Sequence, residues 1–227
     1  AEYISGVTKK FGRDEIYKQS SIQELSFSQL DPVGEGGDQQ ITPIVKGFGN
    51  ISDSPPQDIG DFDAMFSRDG IILWDGGRKQ RINLEAEKLI ISKAIQPIID
   101  KIVRNNFYKS VLLQYYPKNQ QLVMAYEDPD SFPKGRRNRV LIYDIITHEW
   151  WPFKNWLAES FTTYEGDGDA GRLLYGDSND GYVYEADLDT ENDDARKEIS
   201  LFTMDATTGW NPRPTIEWTN VVEGSAS

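Results

Sequence analysis

The sequence predicts an all-β protein made of short antiparallel strands. Three observations predict it: aromatic residues make up 12% of the 227 residues, 19 Gly and 11 Pro supply many turns, and short apolar runs alternate with turn clusters along most of the chain. Aromatic and β-branched residues favour strands, whereas Gly, Asn and Asp tolerate the positive φ values of tight hairpins. We therefore expect a succession of hairpins.

The predicted strands are apolar runs of three to six residues that turn-forming clusters separate. The runs are 15–17, 22–27, 41–45, 64–66, 71–74, 111–115, 121–126, 139–144, 161–164, 172–175, 181–185 and 199–204. The turn clusters are 34–37, 53–56, 75–77, 117–119, 128–130, 166–169 and 177–181. Runs of this length between such clusters are typical of strands that meander within antiparallel sheets.

One segment, residues 84–103, departs from this pattern because its apolar residues are spaced to lie on one face of a helix. Asn83 is the predicted N-cap, and Glu85 and Glu87 are favourably placed near the first turn. Pro97 is predicted to kink or split the helix, since it lacks a backbone N–H. We expect an inserted helix, or two short ones, in an otherwise β chain.

A short motif recurs along the chain. Residues 67–75 and 178–187 both begin Ser-x-Asp-Gly, continue with four mostly apolar residues and close near an Asp. Residues 139–144 form a third copy without the turn, and residues 14–17 are interpreted as the remnant of a fourth. Tyr143 in the third copy lies 41 residues before Tyr184 in the copy at 178–187. It lies 49 residues after Trp74 in the copy at 67–75 when the helical segment 84–103 is not counted. These spacings match the roughly 40–50 residues of a four-stranded propeller blade.

The predicted fold is therefore a β-propeller or partial propeller of four-stranded antiparallel blades, with the inserted helix near 84–103. An antiparallel barrel or sandwich is the alternative, because it also alternates strands and turns. We expect one propeller-like domain over residues 1–227, with a less regular tail at 205–227. Because the sequence opens with Ala1 rather than Met and soon reaches strand-like residues, we expect it to belong to a longer chain.

Composition excludes several classes of function. The 24 Lys and Arg are outnumbered by 37 Asp and Glu, and the net charge of −13 argues against a surface that grips nucleic acid. The absence of Cys excludes disulfides, Cys-ligated metals and thiol catalysis, and the single histidine, His148, excludes a multi-His metal site. No apolar run reaches the roughly 20 residues of a membrane helix. We expect no catalytic, cofactor-binding or metal-binding residue.

Four segments, in this order, resemble the β-propeller proteins in the head-to-tail region of tailed bacteriophages, a group that includes packaged-DNA stabilisation, tail-hub and nozzle proteins. The segments are 65–77, 116–123, 138–151 and 174–184, read as MFSRDGIILWDGG, YPKNQQLV, NRVLIYDIITHEWW and LYGDSNDGYVY. The resemblance spans roughly residues 62–204. The acidic segment 34–63 and the tail after Asp205 lie outside its pattern.

The resemblance implies a structural virion protein with no catalytic residues, located in the neck or tail and assembled in the host cytoplasm. It implies a homo-oligomeric ring around the DNA channel that contacts portal, adaptor, tail or nozzle proteins, while DNA passes nearby without specific binding. We expect the insertion 84–103 and the loops 31–61 and 128–138 to make contacts with neighbouring subunits.

Two other functions remain open. The first is a propeller that binds a glycan or receptor, and the second is a glycosidase. The Ser-x-Asp-Gly turns at 67–70 and 178–181 superficially resemble the Asp boxes of sialidases, but Gly follows Asp directly and no Thr precedes Trp74. A sialidase also needs converging Arg side chains, a Tyr nucleophile and an acid, and spacing alone cannot show that convergence.

Two acidic segments and one Gly-rich segment share some features with ligand-binding loops. Residues 187–198 place oxygens at the positions of a calcium loop, but their flanks are strand-like, so we expect a solvated acidic hairpin there and at 166–171. Residues 34–37 lack the Lys and the helix of a phosphate-binding loop. None of the three is expected to bind a ligand.

The sequence from 148 to 156 is unusually aromatic. His148 lies in a polar turn and is expected to face solvent. We expect Trp150, Trp151, Phe153 and Trp156 to pack between neighbouring sheets, with a partner surface as the alternative for some of them.

Overall fold

The computed structural model describes residues 2–10, 12–27, 39–76, 89–153, 156–164, 171–186, 196–200 and 217–218. The chain divides into two compact units, Ala1–Tyr115 and Tyr116–Ser227. Strands dominate the described residues, which confirms that the chain is mostly β. None of the described helices is long and apolar enough to cross a membrane.

The described strands form four antiparallel sheets, each built from strands that are consecutive in the chain. The first sheet contains β1 (Ile4–Lys10), β2 (Arg13–Lys18), β3 (Ser21–Phe27) and β4 (Gln39–Lys46). The second contains β5 (Gln57–Asp58), β6 (Asp63–Ser67), β7 (Gly70–Trp74) and β8 (Leu89–Ile90). The third contains β9 (Leu112–Tyr116), β10 (Gln121–Tyr126), β11 (Arg139–Asp144) and β12 (Glu149–Phe153). The fourth contains β13 (Ala158–Tyr164), β14 (Arg172–Asp177), β15 (Val183–Ala186), β16 (Arg196–Ser200) and β17 (Glu217–Trp218).

Three copies of the sequence motif occupy equivalent places in their sheets. The apolar runs that follow Gly70 and Gly181, and the run 139–144, form β7, β15 and β11, and each of these is the third strand of its sheet. Residues 14–17 differ, because they lie in β2, the second strand of the first sheet. The fourth copy is therefore not equivalent to the other three.

The helix is shorter than predicted and begins later. Helix α1 spans Gln96–Arg104, and a short 3₁₀ turn at Lys93–Ile95 precedes it. Pro97 does not kink the helix but lies in its first turn, where a missing N–H has no intrahelical partner to lose. The predicted helical residues Leu89 and Ile90 instead form β8. The predicted cap at 83 and the acidic residues at 85 and 87 lie outside the described residues.

The segment 31–61, which the sequence predicts to be a long loop, contains a strand. Residues 39–46 form β4, and most of the following connection is buried. Asn50 Nδ2 donates to Ser54 O at 2.7 Å, Ser52 Oγ donates to Asn50 Oδ1 at 3.0 Å, and Ser54 Oγ accepts from Leu113 N at 3.2 Å. These hydrogen bonds satisfy buried polar groups, so this connection stabilises the first unit, and the expected contacts of the segment with neighbouring subunits stay a prediction.

Each unit has its own apolar core. In the first unit one apolar cluster joins the first and second sheets, and its buried members are Tyr17, Ile22, Val45, Phe48, Met65, Ile72 and Trp74. In the second unit, Trp156 stacks on Tyr175 with ring centroids 5.2 Å apart, and Tyr175 stacks on Tyr184 at 5.5 Å. The ring centroid of Phe153 lies 5.3 Å from that of Trp156, with the two rings tilted by 42°.

The aromatic segment 150–156 divides between core and surface. Trp156 is 2% exposed and belongs to the core, as expected, whereas the side chain of Trp151 is 52% exposed on the edge strand β12. Trp150 and Phe153 are half-buried. Alternation along a strand explains why neighbouring aromatic residues have different surroundings.

Candidate functional site

The loop that joins β10 to β11, residues 127–138, is a surface feature of the second unit. The two strands end in the pair Tyr126 and Arg139, and the loop leaves the sheet between them. The sequence predicted a contact loop at 128–138. The structure shows that this loop is held by side-chain hydrogen bonds, which we describe from its base to its tip.

Asn138 organises the base of the loop. Its side chain is 4% exposed, and its Nδ2 lies 3.0, 3.1 and 3.0 Å from the carbonyl oxygens of Asp128, Ser131 and Pro133. Its Oδ1 accepts from the backbone N–H of Asp128 at 2.8 Å, and its own N–H donates to Tyr126 O at 3.1 Å. One buried amide thus satisfies backbone groups on both halves of the loop.

A second set of contacts holds the first half of the loop. Ser131 Oγ donates to Asp128 Oδ2 at 2.7 Å, and Arg139 Nη2 donates to Ser131 Oγ at 2.8 Å. Asp128 Oδ1 also accepts from the backbone N–H of Asp130 at 3.2 Å. On the other half, the backbone N–H of Gly135, a residue with φ of 73°, donates to Glu127 Oε1 at 2.8 Å.

Two arginines tie the loop to the fourth sheet. Arg136 Nη1 donates to Ser178 O at 2.8 Å, which anchors the loop to the turn between β14 and β15. Arg137 Nη1 forms an ion pair with the Glu159 carboxylate on β13 and also donates to Glu159 O at 3.2 Å. The loop is therefore braced against a neighbouring sheet of the same unit.

The tip of this braced loop carries an exposed aromatic ring. The side chain of Phe132 is 83% exposed, and Lys134 Nζ lies 5.6 Å from the centre of its ring. Exposing an apolar side chain of this size forgoes about 2 kcal/mol of burial free energy. Aromatic residues held in a fixed position at a surface are typical anchors of protein interfaces. We call Phe132 and Lys134 the loop tip.

The basic run around the loop is largely engaged within the unit. Arg136, Arg137 and Arg139 each bind an oxygen of the chain, through Ser178, Glu159 and Ser131 respectively. Arg139 Nε also lies 3.8 Å from Asp128 Oδ2. Guanidinium groups held in this way are poorly placed to contact phosphates, so the run does not form an open basic face.

The turn between β11 and β12 shows why His148 faces solvent, as the sequence predicts. Asp144 Oδ1 accepts from the backbone N–H groups of Thr147 at 2.9 Å and Ile146 at 2.8 Å, and these bonds lower the pKa of Asp144. His148 follows with φ of 60° and is exposed, while its Nδ1 lies 2.9 Å from Tyr143 Oη. Burial, and then the neighbouring Asp144, raise the pKa of Tyr143. This contact joins the side chains of His148 and Tyr143 at the hairpin turn.

The other sites singled out in the sequence lie largely outside the residues that the structure describes. Among the residues that the structure describes, no three acidic or histidine side chains converge where they could hold a metal ion. The acidic segments 187–195 and 165–170 lie outside the described residues, as does the Gly-rich cluster 34–37. The expectations for them stay predictions.

Sequence reasoning placed a contact loop here but missed Phe132. Its exposure depends on Asn138 and on the two anchoring arginines, whose partners at 159 and 178 are distant in sequence. The one available signal was an aromatic residue inside a run rich in Pro, Asp, Gly and Arg. Comparison of the chain with models of protein families, and with curated proteins, gives no match.

Proposed function

We propose that this chain is a structural protein of a tailed-phage virion, in which propeller blades form a ring in the neck or tail and the loop tip docks on a neighbouring subunit. The observation that carries the proposal is the loop tip itself, a rigidly braced loop that holds an aromatic ring in solvent. A scaffold that assembles by docking needs such an anchor, whereas catalysis does not.

The sheet organisation supports the propeller component of the proposal. Four consecutive meanders follow one another along the chain, and three of them place the same sequence motif in their third strand. Propeller blades are antiparallel four-stranded meanders that repeat in this way. The fourth sheet adds β17 as a further strand at its edge.

Charge supports a passive relation to DNA. A net charge of −13 repels phosphates, and the basic run 136–139 is bound within its own unit. A negatively charged surface around the channel lets a DNA duplex slide past without binding. The partners of the loop tip are therefore proposed to be protein surfaces: other copies of the chain, or portal, adaptor, tail or nozzle proteins.

The test compares assembly of the wild-type chain with that of Phe132→Ser. We expect the wild type to form a closed oligomer in mass photometry and a ring in negative-stain images, and Phe132→Ser to shift the population to the monomer. Ile146→Ser is the matched control, because Ile146 is 68% exposed on a different turn. It should assemble like the wild type.

Two outcomes would contradict the proposal. A wild-type chain that stays monomeric at all concentrations, and is absent from rings in particles, would exclude a ring component. Equal loss of assembly in both variants would exclude the loop tip as the docking residue while leaving a ring possible.

A glycan-binding propeller is the second candidate, and the half-exposed Trp151 on edge strand β12 favours it. An exposed indole offers a flat apolar face to a sugar ring. A glycan array probed with the wild type and with Trp151→Ala distinguishes the two, since only a lectin loses binding on that substitution.

A further inference from the structure

The first unit buries two carboxyl groups around a single phenol. Tyr17 Oη, on β2, lies 2.6 Å from Asp63 Oδ2 on β6 and 3.0 Å from Glu15 Oε2 on β2. All three side chains are fully buried. The phenol has one proton, so it can donate to only one of these two oxygens.

Asp63 is the acceptor of that proton. Its Oδ2 also accepts from Thr8 Oγ1 at 2.8 Å, and its Oδ1, although it accepts no hydrogen bond from the described residues, forms an ion pair with Lys10 Nζ at 3.0 Å. Lys10 is itself buried and further binds Asp58 Oδ1 at 2.7 Å and Gly60 O at 2.6 Å. The ammonium beside Asp63 and the two hydroxyl donors identify Asp63 as the ionised carboxylate.

Glu15 has a different set of neighbours. Its Oε2 accepts from Trp74 Nε1 at 2.9 Å, but its Oε1 is buried without a hydrogen-bond partner. It makes no ion pair among the described residues, since the nearby Arg13 instead pairs with Glu24 at 3.7 Å. An ionised carboxylate in this position would be a buried, unpaired charge, which costs several kcal/mol.

The proton count then leaves one arrangement. With the phenol proton on Asp63, the 3.0 Å contact between Glu15 and Tyr17 needs a proton of its own. We propose that Glu15 is a neutral carboxylic acid that donates from Oε2 to Tyr17 Oη, which donates in turn to Asp63, so that a single proton locks the first sheet to the second. This inference is independent of the proposed function.

The surrounding charges set the direction of the pH response. Burial, the largest effect, raises the pKa of Glu15, and the charge of Asp63 adds to it. The hydrogen bond from Trp74 and the charge of Arg13 lower it, as would a hydrogen bond donated by Tyr17, whose proton the proposal places on Asp63. Glu24 on β3 lies directly opposite Glu15 and is a further negative charge. Lys10 on β1 forms ion pairs with Asp63 and Asp58 rather than with Glu15.

The stability that the proton confers follows from linkage. A carboxyl group whose pKa is raised in the folded protein binds more protons than in the unfolded chain. Its contribution is fully present below the ordinary Glu pKa of about 4.3 and is lost as pH rises through the folded value. We therefore expect the packing of β2 against β6 to weaken as the solution becomes more alkaline.

The direct test is a carbon-13 NMR titration of the full chain, in which the Glu15 side-chain carboxyl carbon is assigned by through-bond correlation. We expect its signal to titrate at a higher pH than the signals of the exposed glutamates, because the folded protein holds the proton. A Glu15 carbon that titrates together with the exposed glutamates would overturn the proposal.

A stability measurement gives a second readout. Glu15→Gln cannot ionise at this position and is the reference for the wild type. Relative to it, the folding equilibrium constant of the wild type should fall as pH rises from about 5 to about 9. The fall should be about tenfold for each unit by which the pKa of Glu15 in the folded protein exceeds its ordinary value. The matched control is Glu24→Gln, whose difference from the wild type should not grow in this direction. A difference in the free energy of unfolding between Glu15→Gln and the wild type that stays constant with pH would contradict the proposal. If Glu15→Gln does not fold, the NMR titration decides the question.

Discussion

Ser92 Oγ occupies the space that a β-carbon on Gly70 would need, only 2.1 Å from its ideal position. The same Oγ accepts a hydrogen bond from the backbone N–H of Ile71 at 3.0 Å, so Ser92 cannot move away without losing it. Gly70 also has φ of 128°, a conformation that other residues rarely adopt. The hairpin between β6 and β7 therefore needs Gly for two separate reasons.

Gly70→Val should be the most destabilising change in the repeated hairpin turns. We expect a loss of about 3 kcal/mol or more in the free energy of unfolding, from backbone strain and the clash with Ser92. Gly181→Val should cost less, about 1–2 kcal/mol, because Gly181 has φ of 78° but open space around its α-carbon. Urea unfolding followed by circular dichroism measures both.

The neighbouring exposed residues are the controls for this comparison. Arg68→Ala and Asn179→Ala lie in the same two turns and should change stability by about 0.5 kcal/mol or less. Equal midpoints for all four variants would show that the two turns do not depend on their glycines.

The two tryptophans at 151 and 156 should respond very differently to truncation. Trp156→Ala removes a buried ring that contacts both Phe153 and Tyr175 and should destabilise the second unit by about 3–5 kcal/mol. Trp151→Ala should cost about 1 kcal/mol or less, since half of its side chain already contacts water. Chemical denaturation monitored by far-ultraviolet circular dichroism avoids the change in fluorescence that both variants cause. Similar losses for the two would contradict the division of this segment into core and surface.

The isolated chain should not bind duplex DNA, even at low salt where a basic patch is most visible. The net charge of −13 repels phosphates, and the arginines at 136, 137 and 139 are bound within the unit. Fluorescence anisotropy of a labelled duplex measures this. Tight binding with a steep dependence on salt concentration would mean that these arginines leave their partners. It would contradict the proposal that the chain repels DNA and lets it slide past.

The sequence by itself determined the strands whose patterns are local. The runs 121–126 and 139–144 coincide with β10 and β11, and the motif repeated at 67–75 and 178–187 marks the third strand of two sheets. Alternation of side chains and the turn preferences of Gly and Asp act over a few residues, so they are legible without knowledge of the fold.

Only the tertiary structure decided which of these local features meet. A proline such as Pro97 can either kink a helix or stand at its start. In this structure β8 and a 3₁₀ turn precede α1, so Pro97 lies in the first turn of the helix. The exposure of Phe132 depends on anchors at 159 and 178, and the buried contact of Tyr17 with Asp63 joins residues 46 positions apart. Burial and hydrogen-bond partners depend on long-range packing, which the spacing of residues along the chain does not encode.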